Sequence, residues 1–238
     1  MKIKSKSALN GLLGKVSGRQ IIELSSSDIN PSLEVIRLGN KIVLNSSNAN
    51  YSFGGLHTVF QRVFKKLRIS ERAIKDVLVL GFGAGSIPSI MQEELGMYCN
   101  FTAVEVDPEV IRLGRSYFNI DRFDRLQLLE ADAATFMREN IQCFDLIVVD
   151  VYIDFEVPES CETTNFVTDL RRSINPGGMI LFNKLVYNYE AKLSARELMA
   201  KFKALDGETR MIKVKQNLVN RIIVFETRNT KHENRKTK

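Results

Sequence analysis

At 238 residues, 44% of them apolar, the chain has the length and the apolar content for one α/β domain with a small appendage. Its formal net charge is +6, but Lys2, Lys4, Lys6, Lys15 and Arg19 give residues 1–20 a charge of +5, and residues 228–238 carry +4, so the stretch between them is slightly acidic at −3. That distribution describes basic, solvated tails and argues against nucleic acid as a partner, because nucleic-acid enzymes carry a basic stripe across the folded body.

The N-terminal ALNGLLGKV is interrupted by Asn10, Gly11, Gly14 and Lys15, too broken for a signal peptide. RQIIELSS, SLEVIRLG and KIVLN are short β-prone runs, and Gly39-Asn40 between the last two marks a hairpin. Residues 1–54 therefore read as a tail and a small antiparallel β cap. From Gly55 to Ile69, the residues Leu56, Val59, Phe60, Val63, Phe64 and Leu67 recur at three- and four-residue spacing, which predicts an amphipathic helix.

From Asp76 onward strands and helices alternate. Strands are expected at 77–80, 101–105, 126–129, 144–150 and 179–183, and helices at 86–95, 108–118, 133–139, 162–173 and 189–204. Pro108 after Asp107 is a good helix start, and Pro176-Gly177-Gly178 reads as a turn before a buried strand. Alternation of this kind predicts a doubly wound, mostly parallel sheet covered on both faces. TRMIKVKQ and NRIIVFET then pair as an antiparallel hairpin at one edge. The division expected is a tail and cap at 1–54, a main α/β domain at 55–227 and a basic tail at 228–238.

No run approaches the ~20 apolar residues of a membrane span. Cys99, Cys143 and Cys161 form no C-x-x-C pair, and with two histidines the chain offers no zinc set; reduced thiols in a cytoplasmic protein are expected.

The richest stretch is DVLVLGFGAGS, Asp76 to Ser86. An apolar strand runs into a glycine-rich turn, a helix follows, and a second strand ends in Glu105, twenty residues past Gly85. That order suits a nucleoside: the turn allows close approach, the helix N-terminus offers N–H groups, and the acid accepts hydrogen bonds from ribose hydroxyls. A dinucleotide fingerprint needs Gly or Ala at the sixth position; here that position is Ser86. The glycines fall at Gly81, Gly83 and Gly85, a G-x-G-x-G form similar to the S-adenosylmethionine (SAM) loop of class I methyltransferases. Glu105 as a plain surface acid is the competing reading. Asp132 can cap the helix starting at Ala133, accept from an adenine amino group, or do both. Asp150 ends the apolar strand FDLIVVD, where partial desolvation raises a carboxyl's pKa and suits it to accept a proton; otherwise it bonds loop amides. Tyr152, Asp154 and Glu156 follow in a loop that either covers the site or is solvated. His57 and Tyr51 lie near the mouth, His57 more plainly as a helix-start residue.

Taken together, LGFGAGS, VEVDPEVI, EADAATFM, FDLIVVD and NPGGMILF resemble the spermidine synthase-like branch of the class I methyltransferases, from about Ile21 to Phe225. The resemblance implies a Rossmann-like fold and a SAM-type cofactor. Gly81, Gly83 and Gly85 would form its loop, Glu105 would hold the ribose, Asp132 and Ala133 the adenine, and Asp150 would accept the proton. Aminopropyltransferases of that branch have an Asp at the position of Ala84, a second acid at that of Ile153, and a Tyr-Gln or Tyr-His pair at Phe53-Gly54. Three amine contacts are thus missing or displaced, with Asp154 the nearest replacement acid.

The expectation is a SAM-dependent transferase acting on a small-molecule acceptor, an amine among the candidates, with methyl transfer ahead. Aminopropyl transfer from decarboxylated SAM, with Asp154 beside Asp150, and SAM binding without turnover are the alternatives. A homodimer stays open.

Overall fold

The computed structural model describes residues 18–46, 50–216 and 219–228, with only the backbone at Asn50 and Tyr51. Residues 1–17 and 229–238, which hold most of the basic excess, lie outside the described residues, as does the Tyr51 side chain.

Strands β1 (Arg19–Ser25), β2 (Leu33–Leu38), β3 (Lys41–Ser46) and β4 (Asn50–Ser52) form a four-stranded antiparallel sheet in sequence order. Leu38 pairs with Lys41, so Gly39-Asn40 is the two-residue hairpin turn expected, and Gly39 takes φ 59°. Helix α1 (Gly55–Leu67) buries Val59, Phe60, Val63, Phe64 and Leu67. It therefore presents the apolar face that its spacing predicts.

The second sheet has seven strands in the order β10-β11-β9-β8-β5-β6-β7. Its parallel part comprises β5 (Asp76–Leu80), β6 (Asn100–Glu105), β7 (Leu126–Glu130), β8 (Phe144–Val149) and β9 (Ile174–Val186). The final hairpin, β10 (Glu208–Lys215) and β11 (Val219–Glu226), adds antiparallel to β9. Between the strands run α2 (Ser86–Pro88, continuing as a π-helical stretch Ser89–Glu94), α3 (Pro108–Phe118), α4 (Ala133–Glu139), α5 (Thr164–Arg172) and α6 (Tyr189–Lys203). Among the described residues no helix is long and apolar enough to cross a membrane.

The inner parallel strands β5, β6, β8 and β9 bury both faces, while β7 at the sheet edge is only partly buried. Val77, Val79, Phe101, Ala103, Leu146, Val148 and Leu181 pack with α1, α3 and the cap residues Leu33, Val35 and Leu44. Leu78, Leu80, Val104, Ile147, Val149, Ile180 and Phe182 pack with α4, α5 and α6. Alternate residues of one strand thus serve opposite layers, so these strands read as continuous apolar runs.

Two sequence expectations change. Pro176-Gly177-Gly178 is not a turn before the strand but an outward bulge within β9, because Phe144 pairs with Ile174 while Leu146 pairs with Met179, and Gly177 supplies φ 78°. The helix expected at 86–95 keeps a single α turn before widening: Leu95 N–H donates to Ile90 O at 3.0 Å, an i to i−5 bond.

Polar contacts fasten the cap to the main sheet. Ser27 Oγ and Asn30 Nδ2 each donate to the buried Asp107 carboxylate at 2.6 Å, while Asp107 caps α3 by accepting from Glu109 N–H at 2.9 Å. One side chain thereby satisfies a helix start and two cap donors, which fixes the cap over the carboxyl ends of the parallel strands.

Candidate functional site

Strand β5 has β6 on one side and β8 on the other, so the chain direction of winding reverses there, and the crevice beyond that point is where open α/β sheets hold ligands. A cavity of about 310 Å³ lies there. Its wall comes from the ends of β5, β6, β7, β8, β9 and β11, the start of α1 and the loop after β8.

The turn after β5 is set by backbone constraints. Gly81 has φ 81°, and a Cβ there would meet Asp150 O at 2.3 Å, so only glycine lets the two strand ends run side by side. Gly81 and Phe82 N–H donate to Val104 O at 2.9 and 3.1 Å, Gly83 N–H to Glu105 Oε2 at 2.8 Å, Ala84 N–H to Ser52 Oγ at 2.8 Å, and Gly85 N–H to Phe82 O at 3.2 Å. Every amide from Gly81 to Gly85 therefore has a protein acceptor. The loop thus offers the close approach expected of it but no free N–H groups of its own, because the cap and the second strand reach it first. The next residue is held too, since Phe53 N–H donates to Ser86 Oγ at 3.0 Å from a left-handed φ of 60°.

Gly81 and Gly83 line the cavity; Gly85 does not. Gly85 takes φ 91° as the residue before α2 and would meet Phe123 and Phe82 ring carbons at 3.1 and 3.2 Å with a Cβ. Positive φ and close packing therefore account for a glycine at this position. Ala84 is fully buried behind the wall rather than in it.

Glu105 is only 5% exposed, which removes the surface-acid reading. Besides Gly83, its carboxylate accepts from Val106 N–H at 3.0 Å and Asp107 N–H at 3.2 Å. Burial pushes its carboxyl above the usual range, and these backbone donors pull the other way. Asp132 caps α4, accepting from Thr135 N–H at 2.8 Å, and also lines the cavity beside Ala133. Its capping role and an open face toward the cavity coexist.

Asp150 lies one residue past β8, its N–H donating to Leu80 O at 2.8 Å. Asn183 Nδ2 donates to Asp150 Oδ1 at 2.9 Å. Desolvation pushes the Asp150 carboxyl up to about 7; the Asn183 bond opposes this and the Glu105 charge adds to it. A carboxyl with that value exchanges protons near neutrality.

The loop 151–157 does lie over the site. Val151, Tyr152, Ile153, Asp154, Phe155 and, just beyond, Pro158 face the cavity. Ile153 and Glu156 exchange backbone bonds across a two-residue turn in which Asp154 takes φ 56°. Ser46 Oγ donates to Asp154 Oδ1 at 3.0 Å, Tyr152 Oη donates to Asn183 O at 3.0 Å and accepts from Leu185 N–H at 2.7 Å, and Tyr187 Oη bonds Glu156. The loop is thus fastened to the cap on one side and to β9 on the other. His57 is outside the wall, paired with Glu94 and stacked on Phe53.

Seven of the eight expected site residues, Gly81, Gly83, Glu105, Asp132, Ala133, Asp150 and Asp154, meet on one wall. Sequence reading missed Ser52, Asn183, Gln216 and Asn220. Asn183 carried the same signal as Asp150, a polar residue closing an apolar strand; Ser52 and Asn220 carried none, since each reaches the wall from a different sheet segment. Glu105, Asp132, Asp150 and Asp154 give this wall four carboxylates, and among the described residues no Lys, Arg or His faces it. Nor do the described residues contain a cluster of three or more His, Cys, Asp or Glu arranged for a metal ion.

The sheet order and the position of this cavity define a Rossmann-like domain of the class I methyltransferase type. The family model for the spermine/spermidine synthase domain matches residues 65–231, and the chain belongs to that family. A polyamine aminopropyltransferase from Chromobacterium violaceum is 28% identical over 110 residues, 46% of this chain and 42% of that protein. The chain spans less than half the length of the curated relatives it first matches. The crystal structure of spermidine synthase from Thermotoga maritima superposes with a TM-score of 0.70 at 16% identity, covering 88% of this chain and 74% of that one. Human methyltransferase-like protein 13 in complex with SAH gives 0.56 at 21% identity, covering 75% and 80%. These likenesses establish the fold, including its small N-terminal sheet and C-terminal hairpin.

Proposed function

We propose that the chain is a SAM-type transferase that moves an aminopropyl group from decarboxylated SAM to an amine. The observation that carries this reading is the charge of the wall: four carboxylates, no facing cation among the described residues, and no unpartnered amide from Gly81 to Gly85. The carboxylate of intact SAM would meet like charge there without a cation or loop N–H to receive it. Decarboxylated SAM carries positive charge and no carboxylate, so the same wall suits it. That charge balance reverses the preference for methyl transfer drawn from Ala84, and the name of the bacterial relative points the same way.

Gly81 and Gly83 would allow the nucleoside close to the backbone, Glu105 would accept from ribose hydroxyls, and Asp132 with Ala133 would receive the adenine. Bound there, the cofactor supplies a carbon already activated by its sulfonium charge. An amine attacks only through a free lone pair, so its ammonium proton must leave first. Asp150 takes that proton, and Asn183 holds the carboxylate in place while it does. Asp154, bonded to Ser46, sets the shape of the covering loop.

Methyl transfer remains the second reading because Ala84 places no acid in the glycine turn and Ile153 presents a hydrocarbon to the cavity. Incubation with each cofactor and a panel of amines, followed by mass spectrometry of the thioether released, separates the two. Methylthioadenosine from decarboxylated SAM is expected. S-adenosylhomocysteine from SAM instead would establish methyl transfer, and neither product would overturn the transferase reading.

A further inference from the structure

Asn183 is 1% exposed and faces the cavity, yet only one end of its amide is satisfied. Nδ2 donates to Asp150, which fixes the orientation of the group, and Oδ1 is left buried without a hydrogen-bond partner. A buried acceptor of this kind is a place for a donor that arrives with a ligand. The backbone around it is immobilised by the Tyr152 hydroxyl, bonded to both Asn183 O and Leu185 N–H.

The strand next to it contributes a second amide. Leu185 pairs with Asn220 and Asn183 with Ile222, so Asn183 and Asn220 are diagonal neighbours on one face of β9 and β11, about 7–8 Å apart. Asn220 is 6% exposed and lines the cavity, as does Gln216 at the end of β10. This end of the wall lies on the far side of Asp150 from Glu105 and Asp132, and its other side chains include Ile153 and Leu185. Its acid is Asp154, whose Oδ1 receives Ser46.

We propose that β9 and the C-terminal hairpin form an amide subsite, in which Asn183 Oδ1 accepts an N–H of the acceptor amine beside Asp150, and Asn220 with Gln216 receives the acceptor's other end, an uncharged hydroxyl or amide. The inference rests on the transfer to an amine proposed above and names its acceptor class. An ammonium only donates, so it would leave the amide N–H groups of Asn220 and Gln216 without an acceptor, whereas a hydroxyl both accepts from them and donates to their oxygens. Selection between the two is a difference in affinity, set by what the wrong ligand leaves unpaired.

The test is calorimetric titration of the wild-type chain, saturated with methylthioadenosine, by 4-amino-1-butanol and by 1,4-diaminobutane. The amino alcohol should bind at least ~10-fold more tightly, a tenfold ratio being the step that one well-made polar contact supplies. Equal or tighter binding of the diamine overturns the subsite while leaving aminopropyl transfer intact. Asn220→Asp should move the ratio at least ~10-fold toward the diamine with methylthioadenosine affinity unchanged; an unmoved ratio in a variant that still binds methylthioadenosine also overturns it. The wild-type ranking decides the matter without a variant should Asn220→Asp fail to fold. Absence of methylthioadenosine binding overturns both the subsite and the transferase reading beneath it.

Discussion

Along the ends of β6 and β7, the polar groups facing the cavity are held mainly by neighbours close in sequence: Glu105 by the amides of Val106 and Asp107, Asp132 by Thr135. Along β8, β9 and the covering loop they are held by distant ones: Asp150 by Asn183, Tyr152 by Asn183 and Leu185, Asp154 by Ser46. The first region is a local motif that any chain with this strand–turn–helix order can make. The second exists only once the cap, the loop after β8 and the C-terminal hairpin have assembled. On the proposed function, cofactor recognition rests on the more autonomous half, and acceptor recognition on the half in which sequence changes far apart can alter one contact. The second half is therefore where members sharing the nucleoside motif can diverge in substrate.

The largest expected effect lies in the second half. Asp150→Asn should lower turnover by about 10²–10⁴-fold with cofactor binding nearly kept, the usual span for removing a general base. Wild-type kcat/KM should rise with pH through about 7 as the carboxyl ionises, and the variant should lose that limb. The same group makes a stability prediction. The folded chain keeps the Asp150 proton to about 7, while the ordinary value is 3.8, so the unfolding free energy falls as pH rises between those values. Urea titrations should show Asp150→Asn gaining stability over the wild type from pH 4 to pH 8, by a few kcal/mol at ~1.4 kcal/mol for each pKa unit. A stability difference that stays flat with pH would show that the Asp150 carboxyl is not desolvated in the folded chain.

Gly81→Ala tests the seam between the two halves. A left-handed φ costs a residue with a Cβ roughly 1–2 kcal/mol. The 2.3 Å approach to Asp150 O adds an overpacking cost of ~1–3 kcal/mol. Denaturant midpoints should fall accordingly, and cofactor and acceptor binding should weaken together, because the substitution pushes both strand ends. Loss of cofactor binding alone would show that the halves are less tightly joined than the geometry requires.

Glu105→Gln should act on the first half only. It keeps the shape but not the charge, and should weaken the thioether product by about 1.5–3 kcal/mol, the range for hydrogen bonds to charged groups. Acceptor ranking at saturating cofactor should not change. A shift in that ranking would break the division of labour between the halves.

The contrast also governs what the sequence revealed. The fold was nearly fully legible because β5, β6, β8 and β9 are buried on both faces and so appear as apolar runs, and because Asp107-Pro108 marks the start of α3 and Gly39-Asn40 the turn between β2 and β3 by local backbone chemistry. The bulge at Pro176–Gly178 was misplaced because its register depends on pairing with β8, thirty residues earlier. The place of Gly85 behind the wall was not legible, because a glycine required by positive φ and one required by a ligand look alike in a string of letters. The carboxylates were legible since an acid closing an apolar strand is anomalous on its own. Asn183 gave a weaker form of that signal, and Ser52, Gln216 and Asn220 gave none, since only tertiary assembly brings them to the wall.

The central claim is that the acidic wall, with its loop amides already satisfied, selects a sulfonium nucleoside that lacks a carboxylate. Paired calorimetric titrations of the wild-type chain with decarboxylated SAM and with SAM, at one pH and ionic strength, test it most directly. The account predicts that decarboxylated SAM binds at least ~10-fold more tightly, about 1.4 kcal/mol. Equal or tighter binding of intact SAM would contradict it.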